Sequence, residues 1–385
     1  MFCAWLLIAF FYTAKYFNVI NNYLIFKYSF FNALHGRNLY AEYAEYSDTN
    51  HYGPLFSLIM APFALLPHSL GLFLWQICNV SLLFWAIYKL PLSSFKKNMI
   101  CLLCTQELII SLKEFQTNGA IAALIILAWV MVENRKDFWV GLFIMAGFLV
   151  KIYGIIGLAS FLLSNKKWQF VISGLVWGVV LFVLPMLVFS PHFIIQSYFD
   201  WFHSLAIKNA INIDPSTQYQ DVSIMGMVRR IVGHKIQILP FLIGGAALYL
   251  FSCYKVYKFK DLESRLLLLS SSLLFVVLFS TGSELVTYII AFVGITIWFF
   301  SKPSPTKFQI GIFIFAIYFG SLFPTDLFPN YIKVNYIKPY ALKALPCLII
   351  WLTIIWEMIS YVPSDSDEQN PKYQDLATIN ALTNP

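Results

Sequence analysis

Between His35 and Pro54 the chain reads HGRNLYAEYAEYSDTNHYGP: three carboxylates (Glu42, Glu45, Asp48), two histidines and one arginine, interleaved with tyrosines. These are side chains that accept and pass protons. Asp48 differs from the other two acids in its neighbours. Ser47, Thr49, Asn50 and His51 surround it, a setting of donors that holds a carboxylate ionised. Glu42 and Glu45 read most simply as a solvated loop face. An ionised carboxylate is suited to take a proton from an attacking hydroxyl.

The elements that must position this loop are almost entirely apolar. The chain has 385 residues, 59% hydrophobic and 12% charged, against about 45–50% and about 25% for a soluble domain. That excess fits an all-α polytopic membrane protein. Runs such as LVWGVVLFVLPMLVF are apolar on every side, which excludes the alternation of a transmembrane β-barrel. The formal charge of +7 sits in short basic clusters between apolar runs, where orientation signals belong, so no nucleic-acid partner is expected. Cys101 and Cys104 have redox-like spacing but no second pair, and packing is their simpler reading. The first apolar segment lacks a basic leader and a small-residue cleavage site, so a retained span is expected there.

About twelve spans are predicted, over 2–20, 70–90, 98–113, 118–133, 138–151, 152–164, 169–189, 237–254, 265–281, 285–300, 308–323 and 344–361. Basic pairs at Lys96–Lys97, Arg135–Lys136 and Lys166–Lys167 fit the cytoplasmic side. Residues 138–164 then leave and return as two short pieces meeting at Lys151. Parity requires an even number of crossings between Asp48 and Gln116, although three apolar runs lie there. The run 55–67 has 13 residues and two prolines, short of the roughly 17–25 a span needs, so it is the one expected not to cross. Outer loops are expected at 21–69 and 190–236. One membrane domain would cover 1–361, and a polar, disordered cytoplasmic tail 362–385.

Five polar stretches fall on one face in this arrangement: the loop 35–54, Glu114 to Asn118, Lys151 to Tyr153, the segment 212–235 with Arg229 and Arg230, and Gly282 to Glu284. Each has a plain structural reading. Lys151 could snorkel, Glu284 could cap the next helix, Gln116 and Asn118 could bond between helices, and the arginines could be interfacial anchors. Together, carboxylates and cations at a membrane surface suit transfer from a lipid phosphate: a cation meets the departing phosphate and a carboxylate takes the proton. No phosphate-cradling glycine loop and no zinc or Asp-x-Asp motif is present in the sequence, so neither metal nor cofactor is expected.

An ordered set of weaker motifs carries a resemblance. It comprises Gly36, Leu39 and Tyr40; Tyr52, Pro54, Leu55 and Phe56; Pro62, Phe63 and Pro67; Leu74, Trp75 and Asn79. Gln116 and Asn118 follow, then Ala146 and Gly147 before Lys151, Tyr153 and Gly154. In this the chain resembles glycosyltransferase family 87, integral-membrane enzymes of the GT-C class, over about residues 1–360. Ser223, Gly226 and Met227, with Ser283, Glu284, Thr287 and Tyr288, resemble a bacterial, Bacteroidetes-like branch.

The resemblance implies a GT-C-like bundle with a cavity facing the periplasm, in the cytoplasmic (inner) membrane. It also implies inverting transfer of a hexose, typically mannose, from a polyprenyl-phosphate donor to a lipid or glycan acceptor, with an acid of the first outer loop as base. Asn22-Tyr23 stands where many members carry an acid, which moves the base to Asp48, with Glu45 and Glu42 behind it. Lys151, helped by Arg229 or Arg230, is expected to hold the leaving phosphate. Gln116, Asn118, Tyr153, Glu284 and His51 are expected to orient sugar or acceptor. Two alternatives remain: a transporter or flippase of lipid-linked sugars using the same cavity without chemistry, and a non-catalytic assembly subunit.

Overall fold

The computed structural model describes residues 1–361 apart from 19, 215–219, 234, 235 and 260. The tail expected at 362–385 lies outside the described residues. No strand occurs among those described. Helices α1 (Phe2–Lys15) and α2 (Asn21–Leu34) precede the polar loop, and α3 (Pro54–Ile59) and α4 (Ala61–Ala64) follow it. Next come α5 (His68–Lys89), α6 (Ser94–Lys113), α7 (Asn118–Glu133) and α8 (Asp137–Val150). A 3-10 segment, Ile152–Leu163, leads to α9 (Lys167–Val183), α10 (Pro191–Asn212) and α11 (Ile224–Val232). The chain closes with α12 (Leu239–Val256), α13 (Leu262–Leu278), α14 (Tyr288–Ser301), α15 (Lys307–Phe315), the short α16 (Asn330–Ile332) and α17 (Ala344–Ile359).

Each of the twelve expected spans coincides with a helical segment, with ends moved by a few residues. Among the described residues, His68–Lys89, Lys167–Leu187 and Leu239–Val256 are able to cross a membrane by length and composition alone, and seven further apolar helical stretches are shorter. Trp168, Leu175, Val179 and Leu187 along the second of these are exposed. An apolar helix left uncovered in this way is solvated by lipid.

The expected alternation of ends is visible in the contacts. The start of α7, the end of α8 and the start of α14 meet at one end of the bundle, where Asn118, Lys151 and Val286 are hydrogen-bonded in series. At the other end Arg265 of α13 pairs with Glu133 of α7 and donates to the Leu163 carbonyl. There too Lys302 pairs with Glu263 and Glu357. Between Asp48 and Gln116 only α5 and α6 run the length of the bundle. Helices α3 and α4 have 6 and 4 residues, about 9 and 6 Å at 1.5 Å per residue, too short to cross.

The two pieces flanking Lys151 reach further than half-spans. The 3-10 segment has 12 residues, and a rise of about 2.0 Å per residue stretches it to about 24 Å. It therefore reaches from the Lys151 end to Arg265 at the far end. Helix α8 and this segment pack backbone to backbone at the turn. A Cβ on Gly154 would stand 2.2 Å from the Gly147 carbonyl carbon. Gly154→Ala is expected to push the two apart and destabilise the protein by about 1–3 kcal/mol, visible as a lower thermal midpoint in detergent. An unchanged midpoint would show that the turn yields freely.

One buried pair ties the last third of the chain to the first. Glu107, inside α6, accepts from Lys343 Nζ at 2.9 and 2.8 Å, and both side chains are wholly inaccessible. The lysine also lies over the rings of Tyr288, Phe323 and Phe292.

Candidate functional site

A cavity of about 530 Å³ opens where the polar stretches meet. Its first wall is the loop that carries Asp48, fixed from three sides. Asn21 at the start of α2 exchanges two hydrogen bonds with the Ser47 backbone, at 2.5 and 2.7 Å. Helix α10 donates from Trp201 Nε1 to the His51 carbonyl at 2.9 Å, and its Ser204 Oγ lies 3.2 Å from His51 Nδ1. On the α8 side, Gly53 N donates to the Val150 carbonyl at 3.1 Å. A Cβ at Gly53 would stand 2.0 Å from the Leu149 oxygen, so only glycine lets the loop dock beside Lys151.

Asp48 has φ +75°, a left-handed conformation that Asp tolerates better than most residues. Oδ1 accepts from Thr49 N at 2.8 Å and lies 3.6 Å from His51 Nε2. Oδ2 lies 3.4 Å from Lys208 Nζ on α10. Burial would raise its pKa, but the His51 ring, the Lys208 charge and the Thr49 amide outweigh it and hold the carboxyl well below the usual range. The side chain is still 55% accessible, open to a ligand in the cavity.

The opposite wall is built around Lys151. Its Nζ donates to Asn118 Oδ1 at 2.8 Å and lies 4.8 Å from the Tyr153 ring centre and 5.7 Å from that of Tyr52. No carboxylate among the described residues comes within 4 Å of it to form an ion pair. Asn118 Nδ2 donates to the Val286 carbonyl at 3.1 Å, so both ends of this amide are engaged. Asn118 thus positions Lys151 and does not itself line the cavity. Tyr52 OH donates to Gln116 Oε1 at 2.7 Å and accepts from Thr117 Oγ1 at 3.2 Å.

Two further sides close the space. Lys208, Asn209 and Asn212 line it from α10, and Ser280, Thr281, Gly282 and Glu284 from the turn before α14. Asn212 Nδ2 donates to the Thr281 carbonyl at 3.1 Å, and Ser280 Oγ to Tyr153 OH at 3.1 Å, which ties the two sides together. Glu284 stands at the N-cap of a short helical turn, where its backbone N–H donates to Thr287 Oγ1 at 3.2 Å. Its side chain still faces the cavity beside Glu114. Burial, then the nearby Glu284 charge, push the Glu114 carboxyl up against the opposing pull of Lys113.

Of the residues singled out in the sequence, Asp48, His51, Gln116, Lys151, Tyr153 and Glu284 share this cavity. Glu42 and Glu45 are exposed and lie apart from it, as a solvated loop face would. Arg229 and Arg230 also stand outside its lining. Arg229 is paired with the buried Asp221, and Arg230 donates to the Gln220 carbonyl at 2.6 Å. They fix the segment that brings Gln220 to the cavity edge, and the structure does not bring them into the cavity with Lys151. Cys101 and Cys104 are buried in α6. Among the described residues no three His, Cys, Asp or Glu side chains are grouped to hold a metal.

Sequence reasoning missed Lys208 and Asn209, and set Asn22 aside as the place where an acid is lacking, yet all three line the same space. A signal existed for the first: Trp201, Ser204, Leu205, Lys208 and Asn212 recur at helical spacing, and they form the α10 face turned to the loop and cavity. No curated protein matches the sequence. The profile of glycosyltransferase family 87 matches residues 50–281, a span that holds the Lys151 wall and α10, begins two residues after Asp48 and ends three before Glu284. The match covers more than half of the 385 residues, and the chain belongs to glycosyltransferase family 87.

Proposed function

We propose that this membrane glycosyltransferase moves a hexose, with mannose the first candidate, from a polyprenyl-phosphate donor to a lipid or glycan acceptor. The cavity faces the periplasm of a bacterial cytoplasmic membrane, within one GT-C-like domain of residues 1–361. One observation carries the reading: the same cavity is lined by the carboxylate of Asp48 and by Lys151, a lysine with no carboxylate partner among the described residues. A cation so placed suits an anionic leaving group.

In this reading Lys151 holds the donor phosphate by a charge-assisted contact. Asp48 takes the proton as the acceptor oxygen attacks the anomeric carbon from the opposite face. The bond from that carbon to the phosphate oxygen breaks, its electron pair leaves with the phosphate, and the sugar is inverted. Gln116, Tyr153, His51 and Glu284 are placed to orient hydroxyls, and orientation with charge stabilisation supplies the rate. The test is to give purified protein in proteoliposomes a labelled polyprenyl-phosphate hexose, or the same sugar on a nucleotide, together with a lipid extract. Glycosylated lipid formed from the polyprenyl donor alone is expected. Transport of the donor without product would support a flippase, and turnover of the nucleotide sugar would overturn the donor assignment.

A further inference from the structure

Asp48 is a paradox as a base. Its environment makes it reluctant to accept a proton, and the cation chiefly responsible from outside its own loop, Lys208, comes from a helix 160 residues away in sequence. Lys208 Nζ reaches Asp48 Oδ2 at 3.4 Å across the edge of the cavity, with its side chain only 17% accessible. Its neighbours on the inward face of α10, Asn209 and Asn212, are already tied to the 280–282 turn. No other carboxylate among the described residues lies within ion-pair distance of Lys208. The titratable groups facing the same space are His51 on the loop, Glu114 after α6, Lys151 after α8 and Glu284 before α14. The two lysines therefore line one cavity, one paired with the base and one not.

We propose that Lys208 is a positioning residue shared between two partners: it clamps Asp48 in the empty cavity and swings to the donor phosphate when that binds, releasing the base only once a leaving group is in place. This rests on the lipid-phosphate reading above. The chemistry is that of the transfer itself. The phosphate's negative charge competes with the carboxylate for one ammonium, and Asp48, relieved of its counter-ion, becomes the stronger acceptor for the hydroxyl proton. A lysine suits such an exchange, being a flexible point charge without the fixed fork of arginine.

The test is an equilibrium one and needs no turnover. A short-chain prenyl phosphate is titrated into purified protein in detergent, with the matching prenol as control. Asp48→Asn frees Lys208 and is expected to tighten the phosphate about two- to fivefold, the value of one partly exposed ion pair, with no change for the prenol. In Asp48→Asn/Lys208→Met that gain should vanish. Lys208→Met alone should weaken binding, while Lys208→Arg, which keeps the charge, should restore most of it and controls for folding. Equal affinity of wild type and Asp48→Asn would overturn the shared lysine and leave the lipid-phosphate reading intact. Failure of the wild type to prefer prenyl phosphate over prenol would overturn that reading, and this inference with it.

Discussion

Asp48→Asn is expected to lower sugar transfer by about 10²–10⁴-fold, the usual contribution of a positioned general base, while the protein folds and retains its donor. The substitution is nearly isosteric, so the loop keeps its anchors: the paired bonds from Asn21, the Trp201 bond to the His51 carbonyl and the Gly53 contact with α8. What is lost is the lone pair that accepts the acceptor's proton. The measurement is kcat with saturating polyprenyl-phosphate hexose in proteoliposomes. Transfer at the wild-type rate would remove Asp48 from the chemistry. Glu114 would then be the carboxylate to test, because it lines the same cavity and its carboxyl is held toward the protonated form by burial and by Glu284. Glu42→Gln and Glu45→Gln, at exposed sites away from the cavity, should leave kcat unchanged.

Lys151→Met should cost on the order of 10²–10³ in kcat/KM, the scale seen when one preorganised donor to a developing charge is removed. Methionine keeps the length and apolar stem that pack on Tyr52 and Tyr153, so the loss belongs to the charge. It should appear in both donor affinity and kcat, since the phosphate carries charge before departure and more during it. A rise in donor KM with kcat untouched would mean that Lys151 binds the phosphate equally in both states and contributes nothing to bond breaking. Unchanged affinity for prenyl phosphate would exclude it from the phosphate altogether. Asn118→Leu offers a second probe, because removing the amide oxygen at 2.8 Å from Nζ leaves the ammonium charged but unaimed.

The spans were legible because long apolar runs between basic pairs have one physical solution in a bilayer, and parity then separated 55–67 from the crossings. Helix α2 was not legible. NNYLIFKYSFFNAL mixes asparagine, lysine and aromatics in an order that reads as loop. It is helical because Tyr23, Phe26 and Phe30 are buried and Asn21 and Asn22 are taken up by the Ser47 backbone and the Glu114 carbonyl, partners that no local pattern announces. The site divides along the same line. Asp48, Gln116 and Lys151 stand out as polar residues beside apolar runs, whatever they touch. Whether such a residue faces the cavity or supports another is decided by contacts across more than a hundred positions, as for Asn118 with Val286 and Asp48 with Lys208. Arg229 looked like a phosphate ligand by charge alone, and only the fold shows that Asp221 already answers it.

The pair between Glu107 and Lys343 constrains how the chain is made. The two residues are 236 positions apart, so at about 5–20 residues per second the acid emerges roughly 10–50 seconds before the lysine that pairs with it. Throughout that interval α6 carries an unanswered carboxylate inside an apolar segment and cannot settle into its final packing. Arrival of the last span therefore locks the first part of the bundle late. A chain cut short before Lys343 should be recognised by membrane quality control as unfinished, even with every residue of the cavity already synthesised.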